Sequence, residues 1–165
     1  MRAHDSRRSA LHYAYKLLSY RGRSEAELAR KLRTKGFDDT DIRSTMLRLK
    51  EAGFLDDKRL AVSLKRYAED SKHLSVSGAK RFLIERGIPA DISDEAVKDI
   101  DEIETARRLV EKKIAGWGRH GHTQRRPGSD DARLRKLHGI LYRRGYPFEA
   151  IRKVLGELKN KEDSE

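Results

Sequence analysis

Leu28-Ala29-Arg30-Lys31-Leu32-Arg33-Thr34-Lys35-Gly36-Phe37 is the stretch that decides how this chain folds. Its two leucines stand four residues apart, which puts them on one face of a helix. Gly36 follows four residues later and ends that helix, because glycine takes a left-handed backbone without a side-chain clash. Phe37 is apolar again, and Ile42 opens the next helix. The same order returns as Ala79, Leu83, Gly87, Ile88 and Ile92, and again as Leu137, Leu141, Gly145, Tyr146 and Ile151. The three glycines are spaced 51 and 58 residues apart. Repeats of this size predict helical units that each bury an apolar face against a neighbour. The predicted fold class is all-α, an elongated array of three tandem three-helix repeats. Arrays of this kind bind partners along a surface and seldom build one catalytic pocket.

Outward from that stretch the rest of the chain falls into place. Leu11, Ala14, Tyr15, Leu17 and Leu18 predict a helix over 9–20. Ser24 and Glu27 form a capping-box pattern before Leu28, and Asp38, Asp39 or Thr40 caps the helix that carries Ile42, Met46 and Leu49. In the second unit Asp56 or Asp57 caps a helix with Leu60, Ala61, Leu64 and Tyr67. Ser75 or Ser77 precedes the helix with Leu83, and Pro89 sits at the start of the third. Asp101 and Glu104 repeat the capping-box pattern before Ala106, Leu109, Val110 and Ile114. Residues 116–130 hold several glycines and a proline and read as a loop. Helices over 131–144 and 147–159 close the third unit. The predicted organisation is a flexible 1–8, repeats at 9–54, 55–100 and 101–160, and a frayed 161–165. No period-two alternation is sustained, so no sheet is expected.

Composition sets the function classes. The chain has 165 residues, a net charge of +11 and no cysteine. Disulfides and cysteine metal sites are therefore excluded, and a cytoplasmic location fits. No apolar run reaches the roughly 18 residues that a bilayer span needs, and the first eight residues lack the apolar stretch of a secretory signal. The charge is segregated: +7 over residues 1–36, −6 over 91–104 and +9 over 105–146. Such asymmetry points to a polyanionic partner, either nucleic acid or an acidic protein surface.

Three basic clusters are the candidate binding residues. The first is Arg21, Arg23, Arg30, Lys31, Arg33 and Lys35. The second is Lys80, Arg81 and Arg86. The third is Arg133, Arg135, Lys136, Arg143 and Arg144, with Arg119, Arg125 and Arg126 in the adjoining loop. Arg133, Lys136 and Arg143 or Arg144 can share a helix face. Reading of duplex DNA by the helices after Gly36 and Gly87 is disfavoured, because Asp38, Asp39, Asp41, Asp91, Asp94, Glu95 and Asp99 would face the phosphates. Gly53-Phe54-Leu55-Asp56-Asp57 is a joint, with one carboxylate as a cap and Phe54 and Leu55 as its apolar plug. His120 and His122 lack a third ligand, so no metal site is expected. No catalytic residue and no cofactor site is predicted: there is no nucleophile–base pairing and no phosphate-binding glycine loop.

The ordered motifs resemble the RecX family of bacterial recombination regulators. Three anchors carry the likeness: Ser24-x-x-Glu27-Leu28-x-x-Lys31-Leu32-x-x-Lys35-Gly36-Phe37; Gly53-Phe54-Leu55-Asp56-Asp57 with Arg59, Leu60 and Ala61; and Leu141-x-Arg143-Arg144-Gly145-Tyr146. Together they span roughly residues 9–159. The resemblance implies tandem three-helix repeats. It also implies a non-enzymatic modulator that lies in the groove of RecA filaments on DNA and restrains ATPase, strand exchange and co-protease activity; a monomer is expected. DNA repair, homologous recombination and the SOS response are the implied setting. Two departures stand out: Val76-Ser77-Gly78-Ala79 where the family usually has a glycine–proline type of entry, and the glycine- and arginine-rich 116–130. The alternative from composition alone is a stand-alone basic helical module that binds nucleic acid.

Overall fold

The computed structural model of the chain describes residues 2–119 and 130–162. Among them the fold is all-α. The helices are α1 (Arg2–Tyr20), α2 (Glu25–Lys35), α3 (Asp39–Glu51), α4 (Asp57–Arg66), α5 (Val76–Glu85), α6 (Ala90–Val97), α7 (Glu102–Arg119), α8 (Asp130–Arg143) and α9 (Phe148–Glu162). α1 begins at Arg2, ahead of the expected start at residue 9. α7 runs on to Arg119, so 116–119 are helical and not loop. Positions 120–129, including His120, His122, Arg125 and Arg126, lie outside the described residues, as do 163–165.

The helix starts follow local chemistry. Ser24 accepts from the Glu27 amide, Asp38 from Asp41 and Asp56 from Arg59. Ser75 and Asp101 cap α5 and α7 through the amides of Gly78 and Glu104. Each satisfies one of the free donors of a helix N-terminus. The second half of the capping box is not built. The Glu27 carboxylate turns to Arg21 and Arg23, and that of Glu104 to Arg107. A guanidinium offers a carboxylate stronger bonds than one backbone amide does.

The described residues group into two compact units. One gathers Met1–Lys65 with Phe82–Ala96, and the other Arg66–Arg81 with Val97–Glu165. In the first unit Leu28, Leu32, Ile42, Leu49 and Leu55 bury together with Ala10 and Ala14 of α1. Leu55 plugs this core, but Phe54 does not. It is 56% exposed and stands edge-on to Tyr15, 5.2 Å between ring centroids. In the second unit α7, α8 and α9 bury Leu109, Val110, Leu137, Leu141, Tyr146 and Ile151.

The repeat also needs one correction of register. Ile42 and Ile151 donate their amides to Asp38 and Pro147, four residues back. The residue that does the same in α6 is Ser93, bonded to Pro89, and Ser93 is wholly buried while Ile92 is half-buried. Ser93 can be buried because its hydroxyl reaches the Ile88 carbonyl at 3.5 Å. A serine back-bonded to its own turn leaves no mark in an apolar pattern.

The repeating glycines do more than end helices. In the first unit the α5–α6 turn lies on the N-terminus of α2: the Ser24 hydroxyl donates to the Arg86 carbonyl at 2.7 Å. A Cβ on Gly87 would meet Ser24 Oγ at 2.5 Å. In the second unit the α8–α9 turn lies on the N-terminus of α5 in the same way. The Ser75 amide donates to the Arg144 carbonyl at 3.3 Å, and a Cβ on Gly145 would meet Ser75 Oγ at 2.9 Å. Gly78, in the entry that departs from the family pattern, faces the Arg144 carbonyl, which a Cβ there would approach to 2.4 Å. Gly36 has nothing within 4 Å. Each serine cap and each later glycine therefore form one joint, and only two of the three glycines take part.

Candidate functional site

The first basic cluster divides in two. Arg21 and Arg23 both bind the Glu27 carboxylate, which is buried; Arg21 does so through bonds of 3.0 and 2.5 Å. Arg23 also donates to the Leu17 carbonyl at 3.1 Å, and its side chain is 11% exposed. Burial works against the charge of Glu27, but the bonds and charges of the two arginines outweigh it and hold the carboxyl below its ordinary value. These two cations hold α1 to α2 and are spent there. Arg33 pairs with Asp39 at 3.2 Å, and Lys35 lies 5.8 Å from the Tyr13 ring centroid. Arg30 and Lys31 are exposed on α2.

The second cluster is dispersed as well. Lys80 is half-buried and Arg81 exposed, both on α5 in the second unit. Arg86 belongs to the first unit, where its guanidinium covers the Phe82 ring at 5.1 Å. In the third cluster Arg135, Lys136 and Arg143 are exposed and Arg133 and Arg144 half-buried. A helix turns roughly 100° per residue, so Lys136 and Arg143, seven apart, share a face. Lys136 sits over the Trp117 ring at 5.0 Å, on the α7 side, whereas Arg135 lines the groove toward α9. Apart from Arg21, which is committed to Glu27, the exposed members of the three clusters are thus Arg30, Lys31, Arg33, Lys35, Arg81, Arg135, Lys136 and Arg143.

Asp56 and Asp57 have separate structural duties. Asp56 caps α4, and Asp57 accepts from the amide of Glu25 at 3.0 Å, tying α4 to the start of α2. Among the described residues no group of three His, Asp or Glu is placed to hold a metal ion. No described helix is long and apolar enough to cross a membrane.

One polar cluster escaped the sequence reading. α4 passes into a π-helical turn, Tyr67–Ser71, and ends at His73, which has a φ of +48°. The Leu74 amide closes back on the Ala68 carbonyl, and His73 holds the left-handed position where glycine is usual. Its carbonyl accepts from the Tyr146 hydroxyl at 3.1 Å, and Lys112 Nζ lies 3.2 Å from its Nε2. An ammonium can only donate, so the imidazole is neutral with its hydrogen on Nδ1. Burial, then the charges of Lys112, Arg144 and Arg108, push its pKa below the ordinary 6.5, against a smaller opposing effect of Asp70. The unfolded chain therefore takes up a proton that the folded chain refuses. The stability His73 allows is complete above about pH 6.5 and is lost as pH falls below it. Urea midpoints at pH 7.5 and 5.5 should differ in the native chain. They should converge in His73→Asn, since asparagine tolerates positive φ and does not titrate.

Two large exposed side chains beside the third cluster were also missed: Tyr142 and Phe148 are 71% and 65% exposed, one at each side of the α8–α9 turn. Their signal in the sequence is that neither falls on the buried stripe.

Helices paired around serine–glycine joints, with a basic surface, define an all-α helical-repeat protein. Residues 10–49 match the first three-helix domain of RecX, and residues 99–155 match its third. Regulatory protein RecX of Chlorobaculum tepidum is 34% identical over 159 residues, covering 94% of each chain. That of Trichlorobacter lovleyi is 32% identical, over 86% of this chain and 90% of its own. The crystal structure of RecX from Lactobacillus salivarius shares the fold, with a TM-score of 0.74, 22% identity, and coverage of 94% of this chain and 97% of that one. The chain belongs to the RecX family.

Proposed function

We propose that this chain is a non-enzymatic regulator of RecA, acting as a cytoplasmic monomer on the RecA nucleoprotein filament. It lies in the filament groove and inhibits ATPase, strand exchange and co-protease activity. In this reading its three repeats, 9–54, 55–100 and 101–160, contact the filament in succession, and the setting is recombinational DNA repair and the SOS response. The observation that carries the reading is the family match over 94% of the chain. The exposed cations Arg30, Lys31, Arg81, Arg135, Lys136 and Arg143 supply what a surface beside DNA phosphates needs.

The test is the DNA-dependent ATPase of the cognate RecA on preformed filaments, titrated with this chain at physiological salt, with its affinity for bare DNA measured in the same buffer. Inhibition well below one molecule per RecA protomer, with weak bare-DNA binding, is the expected result. Inhibition only at amounts that coat the DNA would mean a stand-alone nucleic-acid-binding module instead. Lys136→Glu with Arg143→Glu is expected to raise the inhibitory concentration about ten-fold with helicity unchanged, as if about 1.4 kcal/mol of binding were lost. Arg133 is left in place because it is half-buried. A folded double variant that inhibits like the native chain removes this face from the interface.

A further inference from the structure

The repeat carries a groove of which the RecA reading uses only the rim residue Arg135. Between α8 and α9 runs an open groove of about 450 Å³, floored by Leu134, Ile151 and Leu155 and rimmed by Arg135, Arg152 and Lys159. A second groove of about 450 Å³ lies between α2 and α3 in the other unit. It is built from the equivalent places of the repeat: Ile42 and Met46 stand where Ile151 and Leu155 stand, and Arg43 and Lys50 where Arg152 and Lys159 stand. An apolar floor under the same two cations thus occurs twice in one chain. The middle repeat lacks it, with Ser93 at the isoleucine place and Asp94 and Asp101 at the two cation places.

The α8–α9 groove is the more open of the two to a partner's charge. In the α2–α3 groove Lys50 is paired at 2.5 Å with Glu25, itself part of the groove lining, so a carboxylate of the chain already answers that cation. On the α8–α9 rim Arg152 bonds the neighbouring Glu149 at 2.7 Å, and both side chains are about 70% exposed (69% and 73%). A pair that exposed contributes little and yields readily to a better-placed carboxylate. Phe148, 65% exposed, stands at the mouth of the groove. A floor of aliphatic side chains asks for an apolar side chain, and a cationic rim for carboxylates beside it.

We infer that the α8–α9 groove is a docking site for an acidic segment of a protein partner, one that presents a large aliphatic or aromatic side chain next to its carboxylates. The inference does not depend on the partner being RecA. Nucleic acid suits the rim but leaves the aliphatic floor without a complement.

The test is a random 12-residue peptide library panned at physiological salt against the full chain. Gly156 gives the blocking variant: it lines the groove, a Cβ there meets nothing within 4 Å, and glycine is a poor helix former. Gly156→Trp should fill the groove while keeping helicity and melting. The expected outcome is enrichment of peptides that combine Asp or Glu with Leu, Phe or Trp, bound at least ten-fold more weakly by Gly156→Trp. Arg152→Glu with Lys159→Glu should turn the selection toward basic peptides, which a merely structural role would not do. The inference is overturned if no peptide is enriched, or if the enriched peptides lack acidic residues. It is also overturned if Gly156→Trp binds them equally, or if a dT15 oligonucleotide displaces them and itself loses affinity for Gly156→Trp. No filament enters this experiment, so its failure leaves the ATPase test standing.

Discussion

Leu141→Ala is expected to destabilise the second unit by about 3–5 kcal/mol, the upper range for a leucine deleted from a tight core. Leu141 is wholly buried, among Leu137, Tyr146 and Ile151. Its amide neighbours are fixed by the turn that follows: the amides of Arg144 and Tyr146 both close on the Leu141 carbonyl, at 3.0 and 3.3 Å. The backbone around the site therefore has little freedom to collapse into the void, and the cavity penalty adds to the lost transfer energy. Trp117, the chain's one tryptophan, packs against the same core and reports it by fluorescence. Urea titrations of the native chain, Leu141→Ala and Tyr142→Ala make the comparison. Tyr142 is the next residue and 71% exposed, so its loss should stay within about 0.5 kcal/mol. Equal midpoints for the two variants would mean that the buried stripe of α8 is misplaced by a residue.

Gly87→Ala and Gly36→Ala should differ although the sequence treats the two glycines alike. Both have left-handed backbones, with φ of +82° and +94°. That conformation costs a residue with a Cβ about 1 kcal/mol, and at Gly36 nothing else is added. At Gly87 the new methyl group would enter the joint at Ser24 Oγ. Ser24 cannot simply move, because its oxygen accepts from the Glu27 amide at 3.1 Å and donates to the Arg86 carbonyl at 2.7 Å. Displacing it removes a helix cap, about 1 kcal/mol, and unpairs a buried hydroxyl, about 1 kcal/mol or more. Gly87→Ala is thus expected to cost about 3 kcal/mol against about 1 kcal/mol for Gly36→Ala. Gly145→Ala should behave like Gly87→Ala, since its Cβ would meet Ser75 Oγ at 2.9 Å and the Gly78 amide at 3.1 Å. Circular dichroism in urea checks all three. Equal costs at Gly36 and Gly87 would show that the joint contributes nothing beyond its backbone angle.

Much of this was legible from residue order. Leu28 and Leu32, Ala79 and Leu83, and Leu137 and Leu141 are buried where their spacing put them. Gly36, Gly53, Gly87 and Gly145 all have positive φ. The candidate binding residues were less legible. Arg21, Arg23 and Arg86 look as free as Arg30 or Lys31 in the sequence. The structure gives the first two to Glu27, and lays the third over Phe82. A charge cluster records composition, whereas availability depends on which partner the fold brings near.

Residue order alone specifies the helical class, the glycine stops and the leucine stripe, but not where α1 begins or α7 ends. Each of those three depends on groups within four or five residues of one another, where backbone geometry and side-chain spacing act directly. Packing in three dimensions is what makes Asp57 tether Glu25, seats the turns at Gly87 and Gly145 on Ser24 and Ser75, and holds His73 neutral beside Lys112. It also decided that the apolar floor and cationic rim of α2–α3 return in α8–α9. Those contacts join residues 32 to 70 positions apart, or faces of separate helices, and no local periodicity encodes such pairings; packing creates them.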